Sequence, residues 1–159
     1  MRKIINGLEI DFNEKTGEVI VVGVEDNKNI QSIEIPKEAT IIGVRAFADC
    51  TNLTSVKIPE GVTEIRAEAF EGCTNLTSVE ILDGVTKIGF RAFYNCCNLG
   101  SITLPKSLVG MDEEAFASCA KLKSAEILGD PAYFGDKVFD KCHPDFYEYY
   151  PEREELTME

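Results

Sequence analysis

Phenylalanine stands at positions 47, 70, 93, 116 and 139, a step of 23 residues held without insertion or deletion. Cys50, Cys73, Cys96, Cys119 and Cys142 keep the same step, as do Leu53, Leu76, Leu99 and Leu122. Ile33, Val56, Val79, Ile102 and Ala125 make another column, Ile35, Ile58, Ile81, Leu104 and Ile127 a third, and Ile42, Ile65, Ile88, Met111 and Phe134 a fourth. A unit this short cannot enclose a core of its own, so it must bury its apolar side against neighbouring copies. The expected architecture is an α/β repeat solenoid, a single domain of 159 residues in which 30–142 form about five units.

Within a unit the stretch 53–58, LTSVKI, alternates. Leu53, Val56 and Ile58 face one way and Ser55 and Lys57 the other, the pattern of a strand with one buried face. Successive strands should pair in parallel, about 4.8 Å apart. Pro59 and Gly61 then turn the chain, Val62 and Ile65 point inward, and RAEAFEGC at 66–73 supplies helix-favouring residues for a turn or two.

The stretches AFADCTNLTSVKIPEGVTEI and AFEGCTNLTSVEILDGVTKI resemble the 23-residue leucine-rich repeats of the BspA type, and the resemblance covers 30–142. It implies a right-handed solenoid with a parallel β-sheet on the concave side and short helical or 3₁₀ turns on the convex side. Members of that family are often adhesion or host-interaction proteins of the cell surface, which makes surface adhesion one expectation for this chain.

Solenoid ends expose apolar surface and need covers. Residues 1–29 contain two alternating runs, 8–12 and 18–24, around a turn at Gly17, and read as an N-terminal β-hairpin cap. Residues 143–159 join Phe146, Tyr147, Tyr149 and Tyr150 to an acidic terminus and read as a C-terminal cap and acidic tail, fraying beyond about Pro151.

Candidate chemistry is sparse. Five of the six cysteines share one column between Phe and Leu, which makes them small inward packers and leaves Cys97 as the thiol outside the pattern. Zinc needs ligands converging on one point, and a column with one residue per coil does not provide that. His143, the one histidine, follows Cys142, but a nucleophilic pair would require an exposed Cys142 thiolate, and the repeat places Cys142 at the core edge. DFNEKTGE at 11–18 begins like a calcium loop with Asp11 and Asn13, then fails at Lys15 and Thr16, so a hairpin turn is expected there. The acceptor patterns at Asn52 and Asn75 arise from the repeat itself. Asp112, Glu113 and Glu114 fall where a convex helical turn would start, a favourable place for negative charge. No catalytic residue, metal site or cofactor is expected.

The outward positions of the strands carry more information. Ser32, Ser55, Ser78, Ser101 and Ser124 form a constant column, beside a variable one of Glu34, Lys57, Glu80, Thr103 and Glu126. Concave sheets of solenoids serve as extended binding platforms, so these five variable residues are the expected partner-binding positions. The expected function is non-catalytic protein–protein interaction. Sixteen Lys and Arg against 28 Asp and Glu give a net charge of -12, which repels nucleic-acid phosphates and anionic lipid and favours a basic partner. An acidic nucleic-acid mimic that blocks a nucleic-acid-binding protein is a further alternative, and exposed end strands leave room for a weak homodimer. No apolar run is long enough to insert in a membrane, and residues 1–12 lack the apolar run and cleavage site of a secretory signal. As written the chain reads as cytoplasmic, and as cell-surface or secreted if an export signal precedes it.

Overall fold

The computed structural model describes residues 1–151; the acidic tail beyond Pro151 lies outside them. Fourteen strands follow in order: β1 (Arg2–Ile5), β2 (Leu8–Phe12), β3 (Val19–Val24), β4 (Ser32–Glu34), β5 (Ile41–Ile42), β6 (Ser55–Ile58), β7 (Glu64–Ile65), β8 (Ser78–Ile81), β9 (Lys87–Ile88), β10 (Ser101–Leu104), β11 (Gly110–Met111), β12 (Ser124–Ile127), β13 (Tyr133–Phe134) and β14 (Tyr147–Tyr149). Each coil has three sides. The two-residue strands β5, β7, β9, β11 and β13 stack behind β1, β2 and β3 into an eight-stranded sheet, β1-β2-β3-β5-β7-β9-β11-β13. Longer strands stack on a second side as two three-stranded sheets, β4-β6-β8 and β10-β12-β14. The third side is made of turns.

The in-register columns of the sequence become the core. Val56 pairs with Val79 across β6 and β8, and Ile65 with Ile88 across β7 and β9. Phe47, Phe70, Phe93 and Phe116 are fully buried and stack ring on ring, with centroids 5.0, 5.0 and 4.9 Å apart. Phe139 continues the column at 5.8 Å and Phe146 ends it, tilted, at 4.7 Å. The strand register also runs past Cys142: Tyr147 pairs with Ser124 and Tyr149 with Glu126, although the leucine column has ended.

The third side corrects the expected fold. The convex helical or 3₁₀ turns are absent: from β3 to β14 the solenoid contains no helix, so the architecture is a β-solenoid rather than α/β. Backbone hydrogen bonding gives the reason. Amides of Ala46, Ala48 and Cys50 close turns onto the carbonyls of Gly43, Arg45 and Phe47, whereas those of Arg45, Phe47 and Asp49 cross to Ala67, Ala69 and Glu71 of the next coil. Half of the donors are thereby taken from any helix. The alternation is set by left-handed residues, Arg45 (φ 55°) and Asp49 (φ 58°), then Glu68 and Gly72, Arg91 and Asn95, Glu114 and Ser118, Lys137 and Lys141. Two such residues per coil interrupt a helix within its first turn, and the ladder they allow outweighs helix propensity that is only a weak prior. For the same reason Asp112, Glu113 and Glu114 do not start a helix: Asp112 pairs with Lys87 and Glu114 with Arg91.

Side chains tie coil to coil as well. Asn52, Asn75 and Asn98 donate their amides to the carbonyls of Lys28, Thr51 and Thr74, which accounts for the N-L-T pattern structurally. Thr63 and Thr86 donate to Thr40 and Thr63 carbonyls, at 3.2 and 3.1 Å. At the N-terminus β1, β2 and β3 form an antiparallel meander, and β3 passes the sheet on to β5 in parallel. The β2–β3 turn is closed by Asn13, whose side chain accepts from the amides of Lys15 and Thr16 at 3.1 and 3.3 Å. The β1–β2 turn is Asn6-Gly7, both with positive φ, a strong hairpin signal.

Candidate interaction surface

The alternation of the long strands turns Ser55 and Lys57 outward from β6 while Val56 and Ile58 are buried, and β4, β8, β10 and β12 repeat the arrangement. Glu34, Lys57 and Glu80 are exposed and stand in register on β4, β6 and β8. Thr103 and Glu126 are in register on β10 and β12, the first exposed and the second half-buried, and Thr103 Oγ1 donates to Glu126 Oε2 at 3.4 Å. Tyr149 and Tyr147 extend the two outward columns by one coil. That extension is readable as the 23-residue step from Ser124 and Glu126; the aromatic character of the segment points to a cap instead.

The five residues do not share one unbroken ladder, because pairing stops between β8 and β10. In earlier coils Thr54 and Thr77 donate hydroxyl hydrogen bonds to the carbonyls of Gln31 and Thr54. Gly100 occupies that place in the next coil and has no hydroxyl to give. Val79, just before the gap, is half-buried whereas Val56 and Ile102 are buried.

Charge is distributed unequally over the three sides. On the turn side Arg45 bonds Glu68 and, at 2.8 Å, Glu71, and Arg91 bonds Glu114 at 2.7 Å while lying over the rings of Phe90 and Tyr94. The short-strand side pairs Lys87 with Asp112 at 3.4 Å and Arg66 with Glu64 at 3.5 Å. On the long-strand side Lys57 and Glu80 stand 3.8 Å apart, both more than half exposed. The turn-side ladder escapes a reading that follows strands only; its signal is the alternating charge of Arg45, Glu68, Arg91, Glu114 and Lys137 in one column.

The thiol column lies inside. Cys73, Cys96, Cys119 and Cys142 donate to the carbonyls of Phe47, Phe70, Phe93 and Phe116 at 3.1 to 3.3 Å. Burial pushes the Cys50 and Cys142 thiols up to about 11 and that of Cys73 to about 12. The Cys142 thiol therefore aims at a backbone carbonyl, while His143 Nδ1 accepts from the Asp145 amide at 3.0 Å, so the two do not form a nucleophile and base. Cys97 is half-buried, its sulfur 3.6 Å from the Thr74 carbonyl. Among the described residues no three His, Cys, Asp or Glu side chains converge as a metal site would require, and no helix is long and apolar enough to cross a membrane.

A family profile, the BspA type Leucine rich repeat region, matches residues 25–144 in six copies. The chain belongs to the BspA-type leucine-rich repeat family. This BspA-type solenoid is similar in structure to a leucine rich cell surface protein from Faecalibacterium prausnitzii, with a TM-score of 0.86 and 24% identity over 94% of the chain. It is also similar to the T. pallidum leucine rich repeat protein, with a TM-score of 0.73 and 22% identity over 94% of the chain. A leucine-rich repeat protein from Bacteroides capillosus aligns with 80% of the chain at a TM-score of 0.72 and 24% identity. The BspA-type chain spans 39% of the first of these, 64% of the second and 99% of the third. No curated protein matches the sequence.

Proposed function

We propose that this BspA-type protein is a non-catalytic protein-binding module that engages a basic partner through its long-strand side, with Glu34, Lys57, Glu80, Thr103 and Glu126 as contact positions. One observation carries the reading: the turn and short-strand sides commit much of their charge to close pairs, while the long-strand side presents exposed charge over a floor of serines. Groups already engaged with each other have less to offer a partner. Net charge of -12 sets the sign expected of that partner. Catalysis has no support in the Cys142–His143 neighbourhood, whose half-buried thiol is turned to the Phe116 carbonyl.

Affinity capture tests the reading by comparing the native chain with a Lys57→Glu, Glu80→Lys double variant. The swap keeps net charge and the pair while reversing its polarity, so loss of a specific protein assigns recognition to this side. Equal capture by both forms rejects it.

A second reading is surface adhesion. It draws on the Faecalibacterium relative, described as a cell surface protein, and on the likeness to the pneumococcal vaccine antigen PcpA, with a TM-score of 0.74 and 22% identity. Location follows from the same choice: outside the cell for adhesion, inside it for an intracellular partner. Binding of host or matrix protein by the native chain, lost in the double variant, distinguishes adhesion from an intracellular partner.

A further inference from the structure

The long-strand side ends at β4, where Ser32, Ile33 and Glu34 pair with β6 and with no other strand among the described residues. An open depression of about 310 Å³ adjoins this edge, lined by Ile33, Glu34, Ile35, Lys57 and Pro59 and mostly apolar. An unpaired strand edge beside apolar surface is a template for a further strand.

Strand order decides what can occupy it. On the short-strand side the sheet runs on past β3 to β2 and β1, so the N-terminal meander projects beyond β4. At the far end the last short strand is β13 and the last long strand β14. A second copy whose β4 continued from β14 would bring its β2 and β1 to the levels already held by β13 and β11. Head-to-tail stacking in that register is therefore blocked, and the edge stays open to a thin, extended segment.

Charge decides the chemistry of that segment. In register from the edge inward stand Glu34, Lys57 and Glu80, alternating in sign. Lys57 pairs with Glu80 at 3.8 Å, and Glu34 has no ion pair among the described residues. A cation on the outer side of Glu34 continues the alternation, whereas an anion there faces a like charge directly opposite.

We propose that the β4 edge takes an extended segment of a partner protein as an added strand, with Lys or Arg beside Glu34 and apolar residues on either side of it turned inward with Ile33 and Ile35. This rests on the protein-binding reading of the long-strand side and adds where the partner enters and what it must carry.

The test uses the intact chain and a fluorescein-labelled hexapeptide, Thr-Val-Lys-Ile-Thr-Val, against the same peptide with Glu in place of Lys, read by fluorescence polarisation at low salt. The lysine peptide should bind roughly fivefold tighter or more, the preference should reverse in Glu34→Lys, and Asp49→Lys on the turn side should leave it unchanged. Glu34 is exposed, so its substitution leaves the core alone. Absence of peptide binding, a preference indifferent to Glu34→Lys, or self-association seen by sedimentation and abolished by Glu34→Lys each overturns it, the last by showing that a second copy occupies the edge. If the peptide fails while the Lys57→Glu, Glu80→Lys swap still costs a captured partner, the edge proposal falls and the surface reading stands.

Discussion

The ring of Tyr133 lies on Gly110, so closely that a Cβ at position 110 would come within 2.2 Å of Tyr133 Cε1. The two residues are register partners on β11 and β13, and Tyr133 OH reaches Asp112 at 3.4 Å. An aromatic ring that covers a strand glycine replaces the packing the glycine lacks. Gly110→Ala should destabilise the native chain by about 1 kcal/mol, because the ring must leave. In a Tyr133→Ala background the same substitution should be neutral or stabilising, since alanine is the better strand residue. A double-mutant cycle by urea denaturation checks the change of sign.

Phe93 is stacked on both sides and wholly buried. Phe93→Ala should cost roughly 3–5 kcal/mol, the range for emptying a packed aromatic site. Equilibrium denaturation provides the measurement, and a loss below about 1 kcal/mol would mean that the column does not carry the core.

The repeat made the core legible, because a strict 23-residue step places like residues one above another whatever the local backbone does. Hence Phe47 to Phe139, the thiol column and the outward strand positions were readable before any coordinate. The turn side was not. RAEAFEGC favours a helix by composition, but the amides of Glu68, Phe70 and Gly72 bond the next coil, and a single repeat gives no view of that competition. Short strands such as Glu64–Ile65 are likewise too brief to show a period. For the candidate surface, the exposure of Glu34, Lys57 and Glu80 follows from alternation, while the break in pairing between β8 and β10 has no counterpart in the 23-residue step.

Thiol reactivity should follow burial. With iodoacetamide at about pH 8, Cys97 should be alkylated first and Cys142 more slowly, its thiol held at about 11 by burial. Cys50, Cys73, Cys96 and Cys119 should stay protected until denaturant is added. Mass spectrometry of timed samples reads the order, and early labelling of Cys73 or Cys96 would contradict the packing.

Acid should expose the Arg45 cluster. The hydrogen bond from Arg45 holds Glu68 below the ordinary 4.5, while burial and the neighbouring Glu68 push Glu71 above it. Glu68 therefore supports the fold above pH 4.5 and loses that contribution as pH falls through its lowered value. Glu71 runs the other way, its ionised form weakening the fold until it protonates. Arg45→Ala removes the guanidinium both carboxylates use, so its cost, about 1 kcal/mol or less for a surface pair, should be greatest near neutrality. Thermal melts of both proteins should converge as pH falls through the lowered value of Glu68, below which both carboxylates are protonated.

We propose that recognition belongs to the long-strand side. Its most direct test is calorimetric titration of the captured partner into three proteins: the native chain, the Lys57→Glu, Glu80→Lys swap, and a turn-side control, Asp49→Lys. The swap should lose at least roughly tenfold in affinity, as for truncation of central charged contacts, and the control should keep native affinity. Native affinity in the swap, with loss in the control, would contradict it and move the binding surface to the turn side.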